Sequence, residues 1–379
     1  MRATSNRSQK LRIAVVTPFY SEGMGYTENC LPKALAALGH DLHVITSTLN
    51  VYGNEPSYDR TYRDLLGPAQ VASGSTRSNG YQVHRLPPTT VSNYVTLKGL
   101  TAKTREVAPD IVHSLEIASL LTFELALLKP FVGYRLFCET HQHLSIVKPF
   151  LRQDRGAVLK KAYYRFTRTL PTYLASHAVE KCYAIAPDCA QVASEFFGVP
   201  ASKIKVQSLG TDTDLFHPVE TPADVVERQT LRQNLGFAND DIVCIYTGRF
   251  SRDKNPAILA KAIDALCDID PRFKGLFIGN GMQKDEIAAC RNTRIVPFMR
   301  HVDLAAYYRV ADIAVWPTQE SMSMLDAASS GLPLVVSNRI GERERVTGNG
   351  EMYEQDSMTS LITDALRRLA NAEVRRAYG

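Results

Sequence analysis

The residues from Val315 to Val336 read VWPTQESMSMLDAASSGLPLVV. An apolar run closes at Pro317, a polar turn carries Glu320, a helical stretch carries Asp326, and Gly331-Leu332-Pro333 leads into a second apolar run. Strand, turn, helix and strand in that order make one unit of a parallel α/β sheet. An acid on the turn and a second in the helix suit a ligand that has both hydroxyls and phosphates. Hydroxyls donate to carboxylates, and phosphates take the unpaired N–H groups and the positive dipole end of a helix, here around Ser321, Met322 and Ser323. A nucleotide-sugar is a ligand of that kind.

The same alternation extends outward from this stretch in both directions. IAVVT (13–17) precedes a helical pattern around Glu28–Leu38 that Gly39 ends, and LHVITS (42–47) follows. DIVHS (110–114), YRLFCET (134–140), CYAIA (182–186) and KIKVQSL (203–209) continue the series. The pattern restarts with DIVCIYTG (241–248), GLFIG (275–279), RIVPF (294–298), IAVWP (313–317) and LPLVV (332–336). Short apolar strands alternating with helices predict parallel sheets covered on both faces. We therefore expect two doubly wound α/β domains, residues 1–208 and 209–379, with their junction in the Pro218- and Pro222-containing segment from Leu209 to Arg232. Ligands of such sheets lie beyond the C-terminal strand ends, which for two facing domains is the cleft between them. The polar, Gly/Ser-rich stretch from Val51 to about Gly80 is expected to be a long mobile loop.

Composition narrows the function classes. The 379 residues, 45% hydrophobic and 22% charged, describe a globular chain with room for two cores. A net charge of +5 is too mild to argue for nucleic acid, and no aromatic–basic alternation of a single-strand binder occurs. The cysteines at 30, 138, 182, 189, 244, 267 and 290 are odd in number and form no C-x-x-C pair, which argues against a disulfide framework and a zinc site and for a reducing cytoplasmic setting. The first residues lack the apolar core of a secretory signal. The apolar stretch Ile117–Leu128 is too short for a span and contains Glu124.

Several loops carry residues able to do chemistry. In YTGRFSRDKNP, Gly248 permits a close turn, and Arg249 and Lys254 form either a diphosphate clamp or a solvated basic loop. In PFYSEGMGYTEN, Gly23 and Gly25 either turn amides toward a phosphate or make a plain turn. A dinucleotide fingerprint fits poorly there, because Glu28 stands where a third glycine belongs and LHVITST ends without an acid. His141 follows the strand YRLFCET and is placed to reach a sugar hydroxyl or the reacting oxygen, with His113 at another strand end as its competitor. Gly279 and Gly281 of GNG either approach a sugar or phosphate or make a β-turn, Phe298 lies where backbone groups could read a base edge, and Gly210 stands near the hinge with Asp212. From Lys148 to Arg168, Lys148, Arg152, Arg155, Lys160, Lys161, Arg165 and Arg168 interleave with Phe150, Leu151, Tyr163, Tyr164 and Phe166. This reads as a helix resting on anionic lipid or as an ordinary amphipathic core helix.

Taken together, the glycine loop with PKALAALGHDLHVITS, LGTDTDLFHP, YTGRFSRDKNP, FIGNG, YYRVADIAVWPT and ESMSMLDAASSGLPLVVSN resemble the retaining glycosyltransferases of family 4, and the resemblance spans nearly the whole chain. It implies the GT-B fold, two Rossmann-like domains facing across a cleft. By position it makes Arg249 and Lys254 the diphosphate-binding pair and Glu320 the acid near the donor sugar. It makes Asp326 the ribose-binding acid, His141 the histidine near the sugar ring, and Gly23 and Gly25 the loop beside the diphosphate. The chain departs from the family in three places. The family spaces its acids E-x7-E, whereas five residues separate Glu320 from Asp326; six helical steps turn roughly 240°, so Glu320 must sit on the turn before the helix. Asp326 replaces the usual Glu, and Gln142 stands where an acid often follows the histidine. Relatives also commonly add a closing helix beyond the position of Gly379.

The resemblance implies transfer of a hexose-type sugar from a UDP- or GDP-sugar donor to a hydroxyl on a lipid or glycan. No cofactor or divalent ion is expected, and Arg249, Lys254 and the helix tip would stabilise the leaving diphosphate. The setting would be the cytoplasm or the cytoplasmic face of a membrane. The competing readings are a GT-B-fold nucleotide-sugar epimerase, a non-catalytic nucleotide-sugar-binding subunit, and an NAD dehydrogenase, the last disfavoured by Glu28 and the missing acid.

Overall fold

The structure is a computed structural model that describes residues 10–91, 94–144, 147, 162–340, 343–354 and 358–378. The chain forms two compact units. The first comprises residues 1–22, 26–58 and 68–209, and the second comprises residues 23–25, 59–67 and 210–379.

The first unit is built on strands β1 (Arg12–Val16), β2 (Asp41–Ser47), β3 (Gly74–Ser78), β4 (Tyr81–Leu86), β5 (Pro88–Val91), β6 (Tyr94–Leu97), β7 (Ile111–Ser114), β8 (Arg135–Thr140), β9 (Lys181–Ala184) and β10 (Ile204–Val206). Eight of them form one sheet in the order β10-β9-β8-β7-β1-β2-β4-β3, and β5 and β6 pair as a separate antiparallel hairpin. The sheet is parallel except for its edge strand β3, which runs against β4. Side chains alternate across a strand, so β1 faces two cores at once. Ala14 and Val16 pack with Leu121, Leu125 and Leu128 of the helix Leu120–Val132. Ile13 and Val15 pack with Leu31 and Leu35 of the helix Thr27–Ala37 on the other face. Ser119 caps the helix Leu120–Val132 by accepting the Leu121 N–H, and Gly133, at φ +90°, closes it.

The second unit has six parallel strands, β11 (Ile242–Thr247), β12 (Phe273–Ile278), β13 (Thr293–Val296), β14 (Ile313–Trp316), β15 (Leu334–Ser337) and β16 (Gly350–Tyr353), ordered β13-β12-β11-β14-β15-β16. Its helix Ala257–Leu266 buries seven of its ten residues against them, which accounts for its strongly apolar sequence.

Two expectations change. The stretch from Val51 to Gly80 is not a structureless loop: it contains the short helices Tyr58–Thr61 and Arg63–Leu66 and strand β3. The buried rings of Tyr58 and Tyr62 anchor it, a signal that its polar composition masked. Pro222 is not part of a linker but opens the helix Pro222–Leu235. Thr221 and Asp224 form a reciprocal capping box there, and Pro suits the first turn, where its missing N–H costs nothing. The strands β4, β5, β6 and β16 were not read from the sequence at all.

One buried charge fastens this second helix to the sheet. Arg232 is almost wholly buried, and its guanidinium donates to the carbonyls of Val310, Ala238 and Asp241 and to the Asp312 carboxylate. Asp312 also accepts from the Val243 N–H and from Arg228, so the entries to β11 and β14 share one acid. Removing one partner of such a pair strands the other charge. Arg232→Met is therefore expected to destabilise the protein by about 3–5 kcal/mol, read from urea unfolding midpoints.

Candidate active site

The second unit gathers its candidate residues on the loops that leave β11 and β14. After β11 the chain turns through Gly248, Arg249 and Phe250 and lies directly on the loop after β12. The Gly248 N–H donates to the Ile278 carbonyl, Phe250 N–H to Asn280, and Gln283 N–H back to Phe250. A Cβ on Gly279 would stand 1.9 Å from the Gly248 oxygen, and one on Gly281 2.7 Å from the Phe250 oxygen. Both have φ near +150°, so loop-on-loop contact by itself requires glycine at these positions. Tyr246 donates its hydroxyl to the Arg249 carbonyl at 2.8 Å, which holds the backbone from which the half-buried Arg249 projects.

Lys254 donates its ammonium to the Glu320 carbonyl at 2.7 Å, and the Thr318 hydroxyl donates to the Asp253 carbonyl. The two contacts tie the loop after β11 to the loop after β14, so Arg249, Lys254 and Glu320 are brought together. Burial lowers the Lys254 pKa; the carboxylates of Glu320 and Asp253 oppose that shift, and the positive charge of Arg249 adds to it. Two cations partly removed from water at the C-terminal ends of parallel strands form a site that an anion would relieve.

Glu320 lies on the turn ahead of the helix Ser323–Ser329, as its spacing requires. That helix is short, and the chain engages part of its tip. Ser323 N–H donates to the Ser321 hydroxyl, Met324 N–H to the Ser321 carbonyl and Leu325 N–H to the Met322 carbonyl; Arg345 also donates to the Ser321 carbonyl. Asp326 is engaged by protein groups. Its carboxylate is buried, with one oxygen accepting from the Thr211 hydroxyl at 2.5 Å and the other lying 2.9 Å from His301 Nε2. An aspartate one methylene shorter than the family's glutamate stays close to the helix and meets these inward partners. The contact with Thr211 also gives LGTDTD its place, although Gly210 itself has open space around it. Phe298 stacks its ring on Tyr62 at 5.5 Å between centroids. Gly23 accepts the His301 N–H at 2.7 Å, and a Cβ on Gly25 would fall 2.3 Å from the His301 ring, so Gly25 admits that imidazole. Sequence reasoning missed His301; its only signal was position, at the start of the helix His301–Val310 that follows β13.

In the first unit, His141 and His113 do not compete, because both bind one acid. Glu139, buried near the end of β8, has one carboxylate oxygen 2.8 Å from His113 Nε2 and the other 2.8 Å from His141 Nε2. Burial alone would raise the Glu139 pKa, but the hydrogen bonds and charges of the two imidazoles outweigh it and hold the carboxyl at about 2. Burial opposes protonation of His141, yet Glu139, Glu116 and Glu28 together raise its pKa. Glu116 accepts the backbone N–H of His141 and of Ala118, and burial raises its own pKa. Burial pushes Glu28 up to about 7, with the charge of His141 acting against that shift. The sequence reading missed Glu139, Glu116 and Glu28 as a group. Of the basic stretch 148–168, residues 148–161 lie outside the described residues.

The cluster predicts a stability maximum. Glu139, with its pKa depressed, stabilises above its ordinary value of 4.5 and loses that contribution as pH falls toward 2. His141, with its pKa raised, stabilises below its ordinary value of 6.5 and loses that contribution as pH climbs through the raised value. The wild type is expected to lose on the order of 3 kcal/mol between pH 4.5 and 2 through Glu139. Glu139→Gln is expected to flatten both flanks in urea unfolding curves taken across pH.

Comparison with known proteins agrees with this architecture. Residues 30–215 match the family model described as Glycosyltransferase Family 4, and residues 241–372 match the model described as Glycosyl transferases group 1. The chain is 25% identical over 210 residues to spore coat protein SA of Bacillus subtilis, an alignment covering 49% of this chain and 52% of that protein. It is 22% identical over 321 residues to alpha-monoglucosyldiacylglycerol synthase of Acholeplasma laidlawii, covering 81% and 74% of the two chains. The chain spans about half the length of several curated relatives that it matches. Among solved structures, HepE of Anabaena in complex with UDP superposes with a TM-score of 0.66 at 17% identity, over 98% of this chain and 92% of that one. The two matched models, with the two parallel-sheet units, place this chain in glycosyltransferase family 4, with the GT-B fold.

Proposed function

We propose that this protein is a retaining hexosyltransferase that moves a sugar from a UDP- or GDP-sugar to a hydroxyl of a lipid or glycan, in the synthesis of envelope glycolipid or polysaccharide. The observation that carries this reading is the convergence of Arg249, Lys254 and the Glu320 turn at the strand ends of the second unit. A departing diphosphate develops charge as the glycosidic bond breaks, and a fixed guanidinium and ammonium stabilise that charge at the moment it appears. Arg249 offers a fork to two phosphate oxygens and Lys254 a point charge. The Glu320 carboxylate, on the adjacent turn, is placed for a hydroxyl of the donor sugar. Two protein cations do the charge neutralisation that a divalent ion does elsewhere, so added Mg²⁺ or Mn²⁺ is not needed at the diphosphate. In this mechanism the leaving phosphate takes the acceptor proton.

A uridine nucleotide as donor is supported by the UDP complex of HepE, and a glycolipid acceptor by the name of the Acholeplasma synthase. No helix among the described residues is long and apolar enough to cross a membrane. Tyr163, Phe166, Leu170 and Leu174 nevertheless stand exposed beside Arg165 and Arg168, a mixture suited to an anionic bilayer surface. The internal engagement of Asp326 favours a second reading, a nucleotide-sugar-binding subunit without turnover.

Arg249→Ala and Lys254→Ala are each expected to lower transfer by about 10²–10³-fold. Both are also expected to abolish the stabilisation by UDP of about 2.7 kcal/mol at 100 times its dissociation constant, measured against each variant's own unliganded melting temperature. Transfer at the wild-type rate in the double variant would refute the clamp, and donor binding without transfer or hydrolysis in the wild type would favour the binding subunit. A further expectation is that Phe166→Ser combined with Leu170→Ser weakens cosedimentation with phosphatidylglycerol vesicles while leaving UDP binding intact.

A further inference from the structure

A second constellation lies outside the groups used above, at the same C-terminal edge of the first sheet. Strands β8 and β9 are neighbours, with Thr140 opposite Ala184, so the chain leaving β8 and the helix Pro187–Gln191 after β9 start side by side. Three different donor atoms meet there. His143 Nδ1 lies 3.1 Å and 3.2 Å from the two carboxylate oxygens of Asp188 and 3.6 Å from Cys189 Sγ, and the ligand atoms of all three residues fall within 4.8 Å of one another. Asp188 is also held by the Leu144 N–H at 3.1 Å, and Cys189 is fully buried.

These separations can be compared with a metal's demands. Tetrahedral zinc, with bonds of about 2.0–2.1 Å to nitrogen, 2.3 Å to sulfur and 2.0–2.2 Å to oxygen, sets its ligands about 3.6 Å apart for N and S and about 3.4 Å apart for N and O. The observed 3.6 Å matches the first, and 3.1–3.2 Å approaches the second within a few tenths of an ångström. Imidazole with thiolate excludes the hard cations Mg²⁺ and Ca²⁺, which prefer oxygen, and suits a borderline metal. We propose that His143, Asp188 and Cys189 form a zinc(II) site with three protein ligands and a fourth position open to water. As the Zn–S bond forms, the thiol proton leaves to solvent, and the imidazole binds through Nδ1 with its remaining proton on Nε2. The ion would clip the segment carrying His141, two residues before His143, to the helix Pro187–Gln191. The sequence argument against zinc rested on cysteine spacing, and it had no access to ligands 45 and 46 residues apart. The proposal does not depend on the donor or acceptor assigned above.

The test uses the full chain, stripped with a chelator and titrated with zinc alone against a chromophoric competitor. The wild type is expected to take up one equivalent, and Cys189→Ser and His143→Gln each to lose at least 100-fold in affinity. Cobalt(II) is expected to give a thiolate-to-metal charge-transfer band in the wild type that Cys189→Ser lacks. Zinc is expected to raise the melting temperature of the wild type and of neither variant. His143→Gln alters a partly exposed side chain and so tests the site even if the buried Cys189→Ser were to fold poorly. Absence of stoichiometric zinc binding, or equal affinity in wild type and His143→Gln, would overturn the proposal, since the other six cysteines would then account for any thiolate signal.

Discussion

A parallel strand covered on both faces can carry a charge only at its ends. In β1, β11, β14 and β15 nearly every residue is buried, and the backbone polar groups are used up in pairing with neighbours on each side. Polar chemistry is thereby driven to the loops at the carboxyl ends. Glu139 and His141 follow that rule at β8, as do Arg249 and Lys254 beyond β11 and Glu320 beyond β14. At the opposite ends the charges are structural. Arg232, Arg228 and Asp312 bind the strand entries and the helix Pro222–Leu235 together.

The carboxyl-end loops differ in how they are held, and the difference bears on chemistry. In the second unit the loops are positioned by backbone: glycines at 279 and 281 let two turns touch, and the Glu320 carbonyl receives the Lys254 ammonium. The backbone contacts fix where the chain segments carrying Arg249, Lys254 and Glu320 run at the strand ends. In the first unit the loops are positioned by side chains. A single carboxylate fixes two imidazoles, and Glu116 holds the backbone of one of them. Such a network is rigid but responds to pH, because its attraction depends on the protonation of each member.

Asp326 shows how a buried carboxylate joins segments far apart in the chain. The helix acid accepts from the Thr211 hydroxyl and lies 2.9 Å from His301 Nε2. Glu320 remains on the turn, and the cationic pair remains beside it. Asp326 thereby ties the helix Ser323–Ser329 to the segment around Thr211.

The sequence by itself determined the fold class, because strand and helix periods are local: IAVVT, DIVCIYTG and IAVWP each declare a buried strand. It also determined that Glu320 must stand on a turn, since helical geometry forbids the other arrangement. Tertiary structure alone decided which of the polar residues meet. Nothing in the order of residues joins His113 to Glu139, Asp326 to His301, or His143 to Cys189, because those meetings depend on which strands become neighbours and on side chains turning to satisfy buried charge. It also decided that the polar stretch after Val51 is folded, with Tyr58 and Tyr62 buried and Tyr62 stacked on Phe298 far along the chain.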